Sequence, residues 1–227
     1  MIVAIAFCPH PPALFPQLGG GAAGDVEELR TACDAAVRRL CGSGAAAFVV
    51  LGAEGPPVRL ADFAPGVPDL PVLPTPRPLS LLVGEWLLDR AGAGCEPAVR
   101  SYVGVAPDGA LPRDADPLLS GQAAGKPSPT ALLVMGDASA RRSPRAPGYY
   151  DERAEPFDAG VRAALAGADL SALAALDVEL AGELLAAGVG PWRAAARIAA
   201  SGAPWRAQLL FADGRFGVQY VVAVWER

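Results

Sequence analysis

Three short runs of consecutive apolar residues constrain the fold of this chain most strongly. They cover residues 1–7, 46–51 and 130–135, with Thr130 as the one polar residue at the start of the third, and each is followed within two residues by glycine or proline. An unbroken apolar run of this length is typical of a strand that is buried on both faces, as in parallel sheets covered by helices. The runs therefore predict three central strands of an α/β protein.

Helical patterns fill much of the chain between and after these runs. Apolar residues recur at helical spacing over 26–40 and 79–90, and an alanine-rich helical region extends from about 155 to 200. Glycines predict where that last region breaks, and a proline suits the first turn of its final helix. These punctuating residues are Gly167, Gly188, Gly190 and Pro191.

Further strands complete the predicted sheet. Residues 99–105 predict a strand, and residues 106–129 predict a long polar loop. Near the end of the chain, Asp213-Gly214 predicts a hairpin between strands over 208–211 and 217–225. The sequence thus predicts an α/β fold: one three-layer domain over the whole chain, with a central mixed, largely parallel β-sheet flanked by helices.

Charge and hydropathy argue against two classes of partner. The chain has 19 Lys+Arg against 24 Asp+Glu, a net charge of −5. Nucleic-acid surfaces need clustered cations, and the densest basic cluster is only Arg141, Arg142 and Arg145, so no nucleic-acid partner is expected. No apolar stretch approaches a membrane span, and the first residues lack the basic start of a signal peptide. We therefore expect no membrane partner and a cytoplasmic protein.

The cysteines and glycines carry none of the familiar short motifs. Because no C-x-x-C pair occurs, we expect reduced, mostly buried thiols rather than a zinc or redox motif. No Walker or dinucleotide fingerprint indicates a nucleotide cofactor, and no G-x-S-x-G supports a serine hydrolase. The four cysteines are Cys8, Cys33, Cys41 and Cys95.

Polar side chains follow three of the predicted strands. His10 follows the first, Glu54 the second and Asp137 the third apolar run. Ligands in open α/β sheets gather outside the carboxyl ends of the strands, so these side chains are candidates for a metal site. A purely structural alternative stays open for each: a histidine bonded to backbone, a solvated glutamate, and an aspartate that ties down the following turn.

The loop after the third run adds candidates for substrate binding. Ser139, Arg141 and Arg142 are suited to an anionic substrate, since arginine binds carboxylates and phosphates through paired hydrogen bonds. The alternative is a solvated basic loop whose charge is balanced by nearby carboxylates. Those carboxylates are Asp151, Glu152 and Glu155.

Four short segments carry a resemblance to a known family. They are Cys8-Pro9-His10-Pro11-Pro12, residues 136–142, residues 146–151 and Phe216-Gly217-Val218-Gln219-Tyr220. Together they resemble the catalytic-subunit (B-type) superfamily of class III extradiol ring-cleavage dioxygenases, specifically its small stand-alone bacterial members. The resemblance implies a single α/β domain, an Fe(II) site at the strand ends, O₂-dependent opening of a catechol ring and a homo-oligomer.

The family's iron ligands carry over only in part. Members hold iron with two histidines and one glutamate, and a further histidine acts as acid and base. His10 matches the first metal histidine, whereas the second falls near Ala53 or Glu54 and the acid–base histidine falls on Ala140. Glu179 and Glu183 are candidates for the glutamate. The chain contains one histidine, so standard extradiol cleavage is not expected.

Two functions from different classes follow. In the first, the fold persists as a non-catalytic protein that binds a small-molecule ligand or a partner. In the second, the protein is a metal-dependent enzyme, an Fe(II) dioxygenase or a hydrolase that uses a metal-bound water, with carboxylates replacing the missing imidazoles. Its predicted site comprises His10 and Glu54 as ligands of a divalent metal, Asp137 and Ser139 as catalytic residues, and Arg141 and Arg142 as substrate-binding residues.

Overall fold

Six strands form the central sheet in the part of the chain that the structure describes. The computed structural model describes residues 1–19, 23–63, 66–67, 70–71, 73, 75–92, 95, 99–115, 122–123 and 126–227. The strands are β1 (Ile2–Cys8), β2 (Ala47–Ala53), β3 (Val99–Val105), β4 (Thr130–Met135), β5 (Arg206–Asp213) and β6 (Tyr220–Glu226). Residues 122–123 and 126–127, within the predicted long loop, form a separate short ladder.

The sheet is mixed and mostly parallel, as predicted. Its strand order is β3-β2-β4-β1-β6-β5. The first four are parallel to one another, and β6 is antiparallel to both β1 and β5. The hairpin is confirmed, but β5 continues to Asp213, which pairs with Tyr220. Asp213-Gly214 therefore opens a longer connection, in which Gly217 adopts a positive φ of 78°.

Helices cover both faces of the sheet and complete the three layers. α1 and α3 pack on one face, and α4 to α7 pack on the other. No described helix is both long and apolar enough to cross a lipid bilayer. The helices are α1 (Ala23–Cys41), α2 (Leu60–Phe63), α3 (Leu79–Arg90), α4 (Ala154–Gly167), α5 (Leu170–Ala174), α6 (Val178–Glu183) and α7 (Val189–Ala199).

The alanine-rich region is divided more finely than the glycines predict. α4 ends at Gly167 and Gly188 is the N-cap of α7, as expected. Asp169 and Asp177 introduce two further helix starts, because their side chains accept hydrogen bonds from the backbone N–H groups of the following turn. Gly190 lies inside the first turn of α7 rather than at a break.

Two of the four cysteines form a disulfide, which corrects the expectation of reduced thiols. Cys41 at the end of α1 and Cys95 before β3 are bonded, with their Cα atoms 4.9 Å apart. They are 54 residues apart in sequence, so only the tertiary fold brings them together. Cys8 and Cys33 are free and buried, as predicted, and burial raises the pKa of the Cys33 thiol. Disulfides are more typical of oxidising compartments, and the cytoplasmic location stays a prediction.

Candidate functional site

The carboxyl ends of β1 to β4 lie along one edge of the sheet. From β1 the chain continues to α1 on one face, and from β4 it continues to α4 on the opposite face. The crevice between these two neighbouring strands is therefore the topological switch point at which open α/β sheets bind ligands. The Gly136 N–H donates to the Cys8 carbonyl at 2.9 Å and holds the two strand tips together.

His10 and Asp137 meet at this switch point. The backbone N–H of His10 donates to Asp137 Oδ1 at 2.9 Å. The imidazole Nδ1 lies 3.6 Å from the same oxygen, too far for a hydrogen bond, and this buried atom has no hydrogen-bond partner among the described residues. Burial, with a smaller contribution from the Asp137 carboxylate, also raises the pKa of Tyr220. Asp137 thus ties the strand-end loops together beside an unpaired imidazole nitrogen.

Glu54 lies between two cavities at the same edge. It follows β2 directly, its backbone N–H donates to the Val105 carbonyl at 3.0 Å, and its side chain is exposed. The smaller cavity, about 210 Å³, is lined by Glu54, His10 and Ser80 together with apolar residues. The structure therefore brings the two predicted metal ligands to one cavity. Within the described ranges, however, no three His, Cys, Asp or Glu side chains are grouped closely enough to hold a metal ion.

The larger cavity, about 360 Å³, lies between the strand ends and the helices of the second face. Its walls come from the ends of β2 and β3, from α6 and its C-terminal turn, and from the first turn of α7. Aliphatic residues dominate the lining, and Glu54 is the one ionisable side chain among the described residues that line it. A mostly apolar concavity with few polar groups is the usual form of a small-molecule site.

Leu185 borders this cavity in a conformation that leucine rarely adopts. Its φ is 56°, and its side chain remains 48% exposed. The turn closes α6: the Ala186 N–H donates to the Ala181 carbonyl at 2.8 Å, and the Leu185 N–H donates to the Gly182 carbonyl at 3.2 Å. Glycine is the common residue in such a helix end, and a left-handed leucine costs roughly 1–2 kcal/mol. Backbone strain of this kind is often found at binding sites, so Leu185 is a candidate functional residue.

The predicted catalytic Ser139 belongs to a buried polar network instead of lining either cavity. Its backbone N–H and its hydroxyl donate to the two carboxylate oxygens of Asp158, at 2.9 and 2.6 Å. Arg142 Nη1 lies 3.3 Å from Asp158 Oδ2 and also forms an ion pair with Glu155. Burial raises the pKa of Asp158, while Ser139 and Arg142 oppose the shift. The network attaches the loop after β4 to α4.

Arg141 lies close to the larger cavity without lining it. A Cβ atom added at Gly148 would lie 2.7 Å from both Arg141 Cγ and Leu185 Cδ1, so Arg141 is close to a residue that lines the cavity. The buried Nε of Arg141 has no hydrogen-bond partner among the described residues. Glu183, a candidate for the iron glutamate, forms an exposed ion pair with Arg153.

Sequence reasoning missed most of the larger cavity. Its walls on α6 and α7 consist of small aliphatic residues, which have the same pattern as ordinary buried helix faces. Leu185 gives no signal either, because a positive φ at leucine is visible only in the structure. Glu54 alone was identified, through its position after a strand.

Comparison with known proteins gave no assignment. A scan of the chain against protein-family models found no match, and a search of curated proteins found none.

Proposed function

We propose that the protein binds a small, largely apolar molecule at the carboxyl edge of its sheet, and that it is an extradiol-dioxygenase-like protein with a degenerate metal site. One observation carries the proposal: a cavity of about 360 Å³ with aliphatic walls and one carboxylate lies at the carboxyl ends of β2 and β3, on the same edge of the sheet as the switch point. The resemblance to the dioxygenases supports the same edge as the binding region.

The residues present do not fit the iron site that the resemblance implies. That site needs two imidazoles, and His10 is the one histidine in the sequence. Its unpaired Nδ1 has Asp137 as its nearest carboxylate, and no cluster of three metal-binding side chains occurs among the residues that the structure describes. Binding without ring cleavage is therefore the function that these residues support best.

A glycine substitution at Leu185 tests the proposal. Leu185→Gly relieves the left-handed strain but removes an apolar side chain from the cavity. We expect unfolding stability to stay the same or rise by about 1 kcal/mol, and affinity for a neutral apolar probe such as N-phenyl-1-naphthylamine to fall about fivefold to tenfold. Fluorescence titration measures binding, and urea unfolding measures stability.

Ala168→Gly is the matched control for this variant. Ala168 also has a positive φ, 51°, but it does not line the cavity. It should gain similar stability and bind the probe as the wild type does. Unchanged probe affinity in Leu185→Gly would contradict the proposal, as would the absence of saturable probe binding to the wild type.

A metal-dependent enzyme is the second candidate function. The observation that favours it is the buried, unpaired Nδ1 of His10, which lies 3.6 Å from Asp137 Oδ1. His10 and Glu54 also line the same cavity. Such an enzyme should bind one divalent ion per chain, and His10→Ala should lose it. Elemental analysis and calorimetric titration with Fe(II), Mn(II) and Zn(II) measure this.

Glu28→Gln is a control for the metal titration, since Glu28 forms an exposed ion pair with Arg215 and lines neither cavity. It should bind metal as the wild type does. A stoichiometric ion that only His10→Ala loses would favour the enzyme over the binding protein, whereas no saturable binding of any of the three ions would exclude the metal enzyme.

A further inference from the structure

We infer that the ligand is an aliphatic amine whose ammonium group binds Glu54 and whose hydrocarbon part fills the larger cavity. This inference rests on the proposed function and names the chemical class of its ligand. It follows from the charge of Glu54, from the lack of a compensating cation, and from the chemistry of the cavity walls.

Glu54 forms no ion pair with a cation among the described residues. Many other carboxylates form ion pairs with arginine, for example Glu85 with Arg77 and Glu226 with Arg39. No arginine or lysine is among the described residues that line either of the two cavities bordering Glu54. The cavity therefore presents an uncompensated negative charge, and a ligand ammonium would supply the missing partner.

The walls exclude several other ligand classes. No hydroxyl, amide or aromatic side chain is among the described residues that line the larger cavity. A sugar or a nucleobase would lose its hydrogen bonds to water there and gain few in return, which is unfavourable. The walls come from alanine, valine, leucine, proline and glycine, so they suit a flexible alkyl group.

Among the described residues that line the cavity, the first turn of α7 supplies the opposing influence; Arg141 lies near Leu185 but does not line the cavity. Val189 and Pro191 line the cavity, and the N-terminal end of a helix favours anions. Such a partial charge is weaker than the full charge of a carboxylate, so Glu54 should decide the sign of the ligand. A series of ligands that differ only in their charge can separate the two influences.

Isothermal titration with hexyl, heptyl and octyl ligands tests this inference, with each chain length supplied as the protonated amine, the alcohol and the carboxylate. We expect the amine to bind about tenfold more tightly than the alcohol of equal length, and the carboxylate to bind most weakly. Each added methylene should increase affinity about fourfold for the amine and the alcohol, because it buries further apolar surface.

Two substitutions identify the residue responsible. Glu54→Gln should bring the affinity ratio of amine to alcohol close to one. Since the side chain of Glu54 is exposed, this variant should fold normally. Glu152→Gln, which removes another exposed carboxylate outside both cavities, should keep the tenfold preference.

The outcomes separate this inference from the proposed function. Equal binding of amine and alcohol by the wild type, or tighter binding of the carboxylate, would overturn the amine inference while supporting a small-molecule site. A tenfold preference that survives Glu54→Gln would also overturn it. If no member of the series binds and Leu185→Gly does not alter binding of the neutral probe, the proposed function itself fails.

Discussion

Loss of the Cys41–Cys95 disulfide is expected to lower the free energy of unfolding by about 4 kcal/mol. The bond joins cysteines 54 residues apart, and closing a loop of that size removes much conformational entropy from the unfolded chain. The double variant Cys41→Ser/Cys95→Ser should show this loss in urea unfolding when compared with oxidised wild type. Reduction of the wild type with dithiothreitol should have nearly the same effect.

Two controls isolate the disulfide. Dithiothreitol should not alter the stability of the double variant, because Cys8 and Cys33 are free thiols. Oxidised wild type that has been unfolded without reductant should show two titratable thiols, and reduced protein should show four. Four reactive thiols before reduction would contradict the bond, and an unchanged urea midpoint after reduction would contradict its contribution to stability.

Removal of the Asp158 carboxylate should cost a similar amount, about 3–5 kcal/mol. Asp158 is fully buried and accepts hydrogen bonds from the backbone and the hydroxyl of Ser139, with Arg142 at 3.3 Å. Asp158→Ala leaves these donors in the protein interior without their acceptor. Urea unfolding measures the loss, and Asp158→Asn, which keeps the shape and one acceptor oxygen, should lose less.

The difference in unfolding stability between wild type and Asp158→Asn should depend on pH. Burial raises the pKa of Asp158 above its ordinary value of 3.8. The stability contributed by the protonated side chain is therefore fully present below that value and is lost as pH rises through the raised pKa. The stability of wild type relative to Asp158→Asn should fall as the pH rises above 3.8. An increase instead would mean that Ser139 and Arg142 outweigh burial.

A substitution of Ser139 tests its predicted catalytic role. If its hydroxyl serves only to hold the loop to α4, Ser139→Ala should reduce stability and leave the affinity for the apolar probe unchanged. The sequence suggested catalysis because Ser139 follows a strand end, but strand ends also carry residues that only fix the loop. The partner that decides between these roles, Asp158, lies on a separate helix, and local sequence gives no sign of it.

The strands and the strand-end candidates could be predicted because their signals are local. Unbroken apolar runs identified β1, β2 and β4, since a strand covered on both faces needs apolar side chains in both directions. His10, Glu54 and Asp137 follow these strands, and parallel strands end at one edge. The structure accordingly places His10 beside Asp137 and in one cavity with Glu54.

The sequence by itself thus determined the main strands and helices and which polar residues reach the carboxyl edge of the sheet. The tertiary structure decided the Cys41–Cys95 pairing, the role of Asp158 and the shape of the larger cavity. The periodicity of apolar side chains in a helix or strand depends on a few neighbouring residues. A disulfide, a buried ion pair or a cavity depends on segments that meet only when the chain has folded.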